Sequence, residues 1–233
     1  MKELISTPLF GIMLSLIAFE IGCIINKKAR LPIFNPLFIS IVLVIAFLNI
    51  FNINITDYDK GGQFISFFLS PATVILAVPL YKKIELLKSH AVPIISGITV
   101  GSIVSIITII SLCKLFGLPK TINVSLIPKS ITVPIGIEVS KQLGGITSIT
   151  VAVIILTGII GAIIGPYVCK FFKIKDKVAI GVAIGTASHA VGTTKAIEMG
   201  EIEGAMSSLS IGIAGIITVI IAPIMAKIFN ALM

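Results

Sequence analysis

The chain has 233 residues, of which 56% are hydrophobic and 12% are charged, whereas an average soluble domain is about 25% charged. Its formal net charge of +8 is carried by lysines and arginines that lie between apolar runs, which argues against a nucleic-acid-binding face and indicates topology signals and contact with anionic lipid. The three cysteines are widely separated in apolar sequence, so a disulfide framework is not expected. The composition predicts an all-α polytopic membrane protein.

Apolar runs long enough to cross about 30 Å of hydrocarbon recur along the chain. We predict seven full spans, at about residues 8–25, 36–51, 62–81, 91–116, 146–168, 181–200 and 206–229. The first run is expected to remain as a span, because it contains Glu20 and no cleavage pattern follows it. In the fourth span, Gly97 and Gly101 have the spacing that suits close helix packing.

The segment 121–145 is too polar and too interrupted for an ordinary span. The loops that follow the first, third and fifth spans carry three, three and four basic residues, and short loops of this kind face the cytoplasm. All three can do so only if the N-terminus is outside and the segment 121–145 returns to its own side. Each of its arms, roughly ten residues, would reach about 15 Å. We therefore predict a re-entrant hairpin here.

The chain is also predicted to contain two repeats, 1–118 with an interrupted third span and 119–233 with an interrupted span at 181–200. Residues 72–85 and 187–198 are the matching polar stretches, roughly 113 to 115 residues apart. Because the first is predicted to run inward and the second outward, the repeats would be inverted, as in many secondary transporters. A coincidental likeness, and a competing match of Pro71 and Thr73 to residues 128–132, both stay open.

Three polar stretches are candidates for a substrate site: residues 70–73, 128–134 and 185–195. Prolines free backbone groups in a helix, and the exposed amides at the start of a half-helix can hold a carboxylate. Lys129 would add a full positive charge, with hydroxyls at Ser130 and Thr132 beside it. The alternative is that Lys129 extends from a helix end to the interface and that the hydroxyls bond to their own helix.

His189 is the single histidine inside an apolar segment, and imidazole can exchange protons near neutral pH. The alternative is a hydrogen bond between helices. The complete predicted site contains Asn35, Pro71, Thr73, Lys129, Ser130, Thr132, Ser188, His189, Thr193 and Thr194. Glu198, Glu201 and Glu203 are predicted to form a solvated turn. No catalytic, metal-binding or cofactor-binding pattern is present, so an enzyme is not expected.

Four stretches resemble the LrgB/CidB family of bacterial inner-membrane proteins: Asn35-Pro36, SPATVILAVPLYKK from Ser70, PKSITVPIGIEVSKQLGG from Pro128, and GTASHAVGTTKA from Gly185. Gly136 is a departure, since many relatives have alanine there. The resemblance implies one of two functions. Bacterial members are similar to an antiholin-like component that acts with a small holin-like membrane protein on murein hydrolase activity and lysis. Plant relatives include the plastid glycolate/glycerate translocator, and some bacterial members look like part of a pyruvate uptake system.

The residues favour transport, because a lysine and a histidine at membrane depth serve no evident purpose in a lysis regulator. We predict a secondary transporter of small monocarboxylates (pyruvate, lactate, glycolate or glycerate) that works by alternating access in the bacterial cytoplasmic membrane. An antiholin-like regulator is the alternative. The expected partners are the small organic anion, the lipid bilayer, a holin-like protein of the LrgA/CidA type and, through small-residue faces, a second copy of the chain; nucleic acid is not expected.

Overall fold

The computed structural model describes residues 5–29, 34, 36–68, 71, 74–75, 81, 85, 88 and 91–231. Within these residues the regular structure is helical and contains no strand. The helices are α1 (Pro8–Ala29), α2 (Pro36–Ile50), α3 (Ile55–Phe67), α4 (Ala91–Leu115), α5 (Lys120–Leu126), α6 (Val133–Leu143), α7 (Thr147–Phe171), α8 (Lys177–Met199) and α9 (Glu201–Ala231). Helices α1, α4, α7 and α9 are long and apolar enough to cross a membrane. The predicted class, an all-α polytopic membrane protein, is confirmed.

The chain divides into two compact units, Met1–Ala72 and Thr73–Met233. In the first unit, α1 packs against α2 and α3. Its backbone approaches α3 closely, since a Cβ on Gly61 would lie 2.7 Å from the Cα of Gly11. Helix α3 spans Ile55–Phe67, so it begins before the third span predicted at 62–81. The predicted division into repeats at residues 118 and 119 stays a prediction.

In the second unit, residues 120–143 form a helical hairpin, which we call hairpin 1. Helices α5 and α6 are its arms, and a non-helical turn at 127–132 joins them. The base of the hairpin is closed by hydrogen bonds around Ser125: the backbone N–H of Ile146 donates to Ser125 Oγ at 2.7 Å, and Thr150 Oγ1 donates to Ser125 O at 2.9 Å. Thr150 Oγ1 also lies 2.7 Å from Ser140 Oγ. Two short arms with a break near the prolines are as predicted.

Residues 177–199 form a second hairpin, hairpin 2, whose arms are 177–188 and 190–199. The break lies at His189, where φ is 42° and ψ is −140°. A Cβ on Gly192 would lie 3.2 Å from Ile184 Cγ2, although eight residues of straight helix span about 12 Å. Gly185 and Thr193, four residues to either side of the break, both contact Ser207 of α9. The second arm therefore returns alongside the first.

This fold-back differs from the prediction that residues 181–200 cross the membrane. The predicted interruption is present, but the chain turns back at it. The physical reason is the lack of side chains at Gly181, Gly185 and Gly192, which lets the first arm approach α9 and the second arm approach the first. Glu203 also differs from the prediction of a solvated turn, because it is only 6% exposed.

Helices α4, α7 and α9 each contact hairpin 1 with one half and hairpin 2 with the other. One apolar cluster joins the second halves of α4 and α9 to hairpin 1: Ile106, Ile110, Val124, Ile127, Ile131, Val139, Ala222 and Ala226. A second apolar cluster joins the first halves of α4 and α9: Ile94, Ile98, Ala205, Met206, Leu209 and Ala214. Val178 and Val182 of hairpin 2 pack against this second cluster. In α7, Thr150 contacts the base of hairpin 1, whereas Gly158 contacts the tip of hairpin 2. The hairpins therefore come from opposite ends of the unit, and their tips lie near its middle.

A hairpin followed by a long helix occurs twice in this unit, first as hairpin 1 with α7 and then as hairpin 2 with α9. Each long helix contains one internal proline, Pro166 in α7 and Pro223 in α9. Lys170, Lys173, Lys175 and Lys177 mark the end from which hairpin 2 comes, which the distribution of basic residues predicts to be cytoplasmic. Because the two hairpins come from opposite ends, the two motifs run in opposite directions.

Candidate functional site

The Lys129 side chain lies in the turn at the tip of hairpin 1. Proline at 128 and the extended backbone of Thr132, with φ −67° and ψ 149°, hold this turn out of either helix. The Lys129 ammonium donates a hydrogen bond to Ser130 Oγ at 2.8 Å. The Ser130 hydroxyl in turn lies 3.3 Å from Ser105 Oγ of α4. Among the described residues, no carboxylate forms an ion pair with Lys129, so its positive charge is available to a ligand.

The larger cavity, about 800 Å³, lies between α4 and the first arm of hairpin 2. Lys129, Ser130, Ser105 and Thr108 are polar residues of its lining. Asp176, which caps the start of α8 by accepting from the N–H of Ala179 at 2.8 Å, also lines it. Apart from Thr186, the rest of the lining consists of apolar residues and glycines: Pro93, Ile94, Gly97, Gly101, Val104, Val178, Ala179, Val182, Ala183 and Ala187. The cavity therefore offers a small anion one cation and several hydroxyls.

A smaller cavity, about 410 Å³, lies on the other side of the same arm, against α7. Lys129, Ser188 and Thr157 are its polar residues. Val168 and Cys169 lie towards the end of α7 that precedes the 172–176 loop. Both cavities therefore extend from Lys129 towards the end of the unit that carries this loop.

His189 holds the tip of hairpin 2 against α7. Its Nε2–H donates to the backbone oxygen of Ile154 at 2.8 Å, and the residue is only 3% exposed. A Cβ on Gly158 would lie 2.7 Å from its Cε1, so the close approach requires glycine there. His189 does not line either cavity, but it positions the adjacent Ser188, which lines the smaller one.

Three further residues of the predicted site, Thr132, Thr193 and Thr194, lie in different surroundings. Thr132 is buried in the tip of hairpin 1, and its hydroxyl has no hydrogen-bond partner among the described residues. Thr193 is buried, donates to the backbone oxygen of His189 at 2.9 Å and lies 2.7 Å from Ser207 Oγ. Thr194 is exposed on the second arm. The structure thus brings together Lys129, Ser130 and Ser188 around the cavities and places Thr193 and Thr194 outside them.

Three residues of the predicted substrate site, Asn35, Pro71 and Thr73, lie outside the part of the second unit that forms the cavities. Pro71 is exposed and belongs to the first unit. Asn35 and Thr73 lie outside the described residues. Their predicted roles in substrate binding stay predictions.

The structure adds polar groups that the sequence did not single out. Ser105 and Thr108 of α4 line the larger cavity, as does Thr186 of hairpin 2. Their only signal in the sequence is a hydroxyl within an apolar run, which a bond to the same helix explains equally well. Gly97 and Gly101 both line the larger cavity. Gly101 also allows the close helix packing expected of it, since a Cβ there would lie 3.1 Å from Thr186 Cγ2 of hairpin 2, whereas the atom nearest to a Cβ on Gly97 is Val182 Cγ1, 4.0 Å away. In the described part of the chain, no three His, Cys, Asp or Glu side chains are grouped to bind a metal.

Comparison with known proteins gives one consistent result. The model of the LrgB-like family matches residues 15–228. Two curated relatives, each named antiholin-like protein LrgB, come from Bacillus cereus and Bacillus anthracis; each is 41% identical over 218 residues, covering 93% of this chain and 95% of the relative. No solved structure matches the chain. The chain therefore belongs to the LrgB-like family.

Proposed function

We propose that the protein is a secondary transporter of small monocarboxylates such as pyruvate, lactate, glycolate or glycerate, and not an enzyme. The observation that carries this proposal is Lys129, a cation without a carboxylate partner in the described part of the chain, placed where two cavities meet. A charged side chain at membrane depth is costly and is kept where it serves a substrate or ion path. One cation balances one carboxylate, so a singly charged acid fits best.

The arrangement of the helices supports the same proposal. Two hairpins that come from opposite ends and meet near the middle are the kind of inverted, discontinuous elements around which transporters alternate their access. The arm α6 begins at the tip beside Thr132, where its free amides carry the partial positive charge of a helix start. Transport would be driven by an ion or substrate gradient across the bacterial cytoplasmic membrane, because the sequence has no phosphate-binding loop.

The test is uptake of labelled pyruvate or glycolate into vesicles that contain the purified protein. The Lys129→Ala variant removes a hydrogen bond from a charged group, worth about 1.5–3 kcal/mol, which corresponds to a loss of apparent affinity of about 10- to 150-fold. The matched control is Lys195→Ala, because Lys195 lies outside both cavities and pairs with Glu198 at 2.8 Å on an exposed surface. Equal uptake by the parent and the Lys129→Ala variant would overturn the proposal.

A second candidate is an antiholin-like regulator of lysis that acts with a small holin-like membrane protein or as a homodimer. The observation that favours it is the name of the curated relatives, antiholin-like protein LrgB. In this case the polar residues of the hairpins would serve helix packing. The two candidates are separated by measuring lysis and murein hydrolase activity in cells that carry Lys129→Ala. If this variant no longer takes up monocarboxylates but its lysis and murein hydrolase activity match those of the parent, the result supports the regulator.

A further inference from the structure

The motif of hairpin 1 with α7 and the motif of hairpin 2 with α9 correspond residue by residue at a constant shift of 57 positions. In the long helices, the counterparts at this shift are Thr150 and Ser207, Gly158 and Gly215, and Pro166 and Pro223. The same shift pairs Thr132, at the tip of hairpin 1, with His189, at the tip of hairpin 2. Because the whole register lies within the second unit, it does not depend on the predicted division at residues 118 and 119.

The first halves of the two long helices make equivalent contacts. In α7, the Thr150 hydroxyl lies 2.7 Å from Ser140 Oγ in the second arm of hairpin 1. In α9, the Ser207 hydroxyl lies 2.7 Å from Thr193 Oγ1 in the second arm of hairpin 2. Each long helix is therefore joined by a hydroxyl near its start to the hairpin that precedes it.

The middles of the two long helices also make equivalent contacts, here with the other hairpin. A Cβ on Gly158 of α7 would lie 2.7 Å from Cε1 of His189, at the tip of hairpin 2. A Cβ on Gly215 of α9 would lie 2.9 Å from Cδ1 of Ile135, beside the tip of hairpin 1. Each helix thus admits the tip region of the opposite hairpin at a glycine, and the two motifs hold each other reciprocally.

One contact is made in only one of the two motifs. His189 donates to the backbone oxygen of Ile154 in α7, whereas Thr132, its counterpart, is 4% exposed and its hydroxyl has no partner among the described residues. Thr132 is the N-cap of α6, yet its side chain does not cap that helix. A buried hydroxyl without a partner is uncommon in native proteins and calls for an explanation. The counterpart of Ile154 is Ile211 of α9, whose backbone oxygen has a second lone pair even within a helix.

The two cavities show the same asymmetry. Both are lined by the first arm of hairpin 2, and neither is lined by α5, the first arm of hairpin 1. Val124 of α5 instead packs in the apolar cluster with Ile106 and Ile110 of α4. The hairpin whose tip is bonded to the opposite long helix is therefore the one that lines the cavities.

We propose that Thr132 is a positioning residue for the opposite state of the transporter, in which its hydroxyl donates to the backbone oxygen of Ile211. In that state the two motifs exchange arrangements: His189 gives up its bond to Ile154, α5 lines the cavity, and Lys129 is open towards the other end of the unit. The inference rests on the proposed transport function, because alternating access requires both states. The exchange of hydrogen bonds does not depend on which acid is carried.

The first test compares two replacements of Thr132. Thr132→Val keeps the shape but cannot form the bond, so uptake of pyruvate should fall about three- to tenfold, the factor that corresponds to one net hydrogen bond. Its free energy of unfolding should not fall, because the hydroxyl has no partner in the described state. Thr132→Ser retains the hydroxyl and should take up pyruvate at nearly the parent rate. The control is Thr99→Val, whose hydroxyl bonds to its own helix outside both cavities.

The second test separates positioning from substrate binding by measuring access without any substrate. In a variant without native cysteines, Ala187→Cys reports opening towards the 172–176 loop, and Leu126→Cys in α5, the counterpart of Ala183, reports opening towards the other side. The ratio of their reaction rates with an impermeant maleimide measures the balance of the two states. Thr132→Val should raise this ratio and His189→Ala should lower it, each by about three- to tenfold. The double variant should return to within about twofold of the parent, since opposite shifts in one equilibrium cancel.

The outcomes distinguish failure of this inference from failure of the proposed function. If the parent takes up no monocarboxylate but the two single variants shift the ratio in opposite directions, the function is wrong and the exchange stands. If the parent takes up pyruvate and Thr132→Val does so equally well, the exchange is wrong and the function stands. Shifts in the same direction, or a Leu126→Cys that reacts from neither side, would also overturn the exchange.

Discussion

Replacing Thr150 by valine tests the base of hairpin 1 with almost no change of volume. Thr150 is fully buried in α7, and its hydroxyl lies 2.9 Å from the backbone oxygen of Ser125 and 2.7 Å from Ser140 Oγ. It therefore joins α7 to both arms of the hairpin. Valine keeps the shape of the side chain but leaves the oxygen of Ser125 and the hydroxyl of Ser140 without this partner.

A buried polar group that loses its partner costs about 1–3 kcal/mol. With two such groups, we expect Thr150→Val to lower the free energy of unfolding by about 2–4 kcal/mol. The measurement is the unfolding transition of the protein on transfer from a mild detergent to dodecyl sulfate, followed by circular dichroism. Uptake at a temperature where the variant is folded should be retained, because Thr150 lines neither cavity.

Thr99→Val is the matched control. Thr99 is half-buried on α4, and its hydroxyl donates to the backbone oxygen of Ile95 in the same helix at 2.7 Å, so among the described residues it joins no second element. Its replacement should change the free energy of unfolding by less than about 0.5 kcal/mol. A second check is the pair with Ser140→Ala: since Thr150 and Ser140 share a bond, their effects should fall short of additive by at least about 0.5 kcal/mol. Equal effects of Thr150→Val and Thr99→Val would refute the role of Thr150 in closing the hairpin.

Two further predictions concern hairpin 2. In a variant without native cysteines, Ala187→Cys should react with a membrane-impermeant maleimide from the side of the 172–176 loop, whereas Val139→Cys, at a site only 2% exposed, should react from neither side; reaction of Ala187→Cys from the opposite side alone would contradict the direction of the cavities. Gly161→Ala would place a methyl group against Ser188 and should lower the free energy of unfolding by about 1–3 kcal/mol. Gly165→Ala has 3.5 Å to Ile184 Cγ1 and should cost less than about 0.5 kcal/mol, so similar losses in the two variants would count against the contact at the tip.

Hairpin 1 could be predicted from the sequence because two independent signals coincide there. Pro128 and Pro134 interrupt any helix through this segment. The lysines after the fifth predicted span also require the segment to return to its own side. Lys129 follows from the same reasoning, since a basic residue between two breaks in an apolar segment has few structural uses. The described arms, of seven and eleven residues, agree with the lengths expected.

Hairpin 2 could not be predicted in the same way, because no proline interrupts it. Its break lies between Ser188 and Ala190, residues that a continuous helix accepts. What turns the chain back is packing at a distance: Gly158 admits the ring of His189, and Gly181 and Gly185 admit the backbone of α9. A glycine in a sequence does not say which element approaches it. For the same reason the spacing of Gly97 and Gly101 did not show that both line a cavity, although Gly101 also packs against Thr186 of hairpin 2 as expected.

The sequence also does not show which hydroxyl-bearing residues face the site. Thr193 and Thr194 are neighbours in the sequence, and both were predicted in the site. On a helix, adjacent residues point about 100° apart. One of them therefore bonds to Ser207 in the interior while the other is exposed. Ser105, some 25 residues before Ser130 in the sequence, joins it only through the packing of α4 on hairpin 1.

The return of hairpin 2 to its own end also matters for biosynthesis. Residues 198–203 contain three glutamates, Glu198, Glu201 and Glu203. Had this segment been inserted as a straight helix, those acids would have had to pass through the bilayer to the opposite side, which charged groups resist. Folding back leaves the glutamates on the side where the nascent chain already is. The translocon then has only the apolar length of α9 to release into lipid.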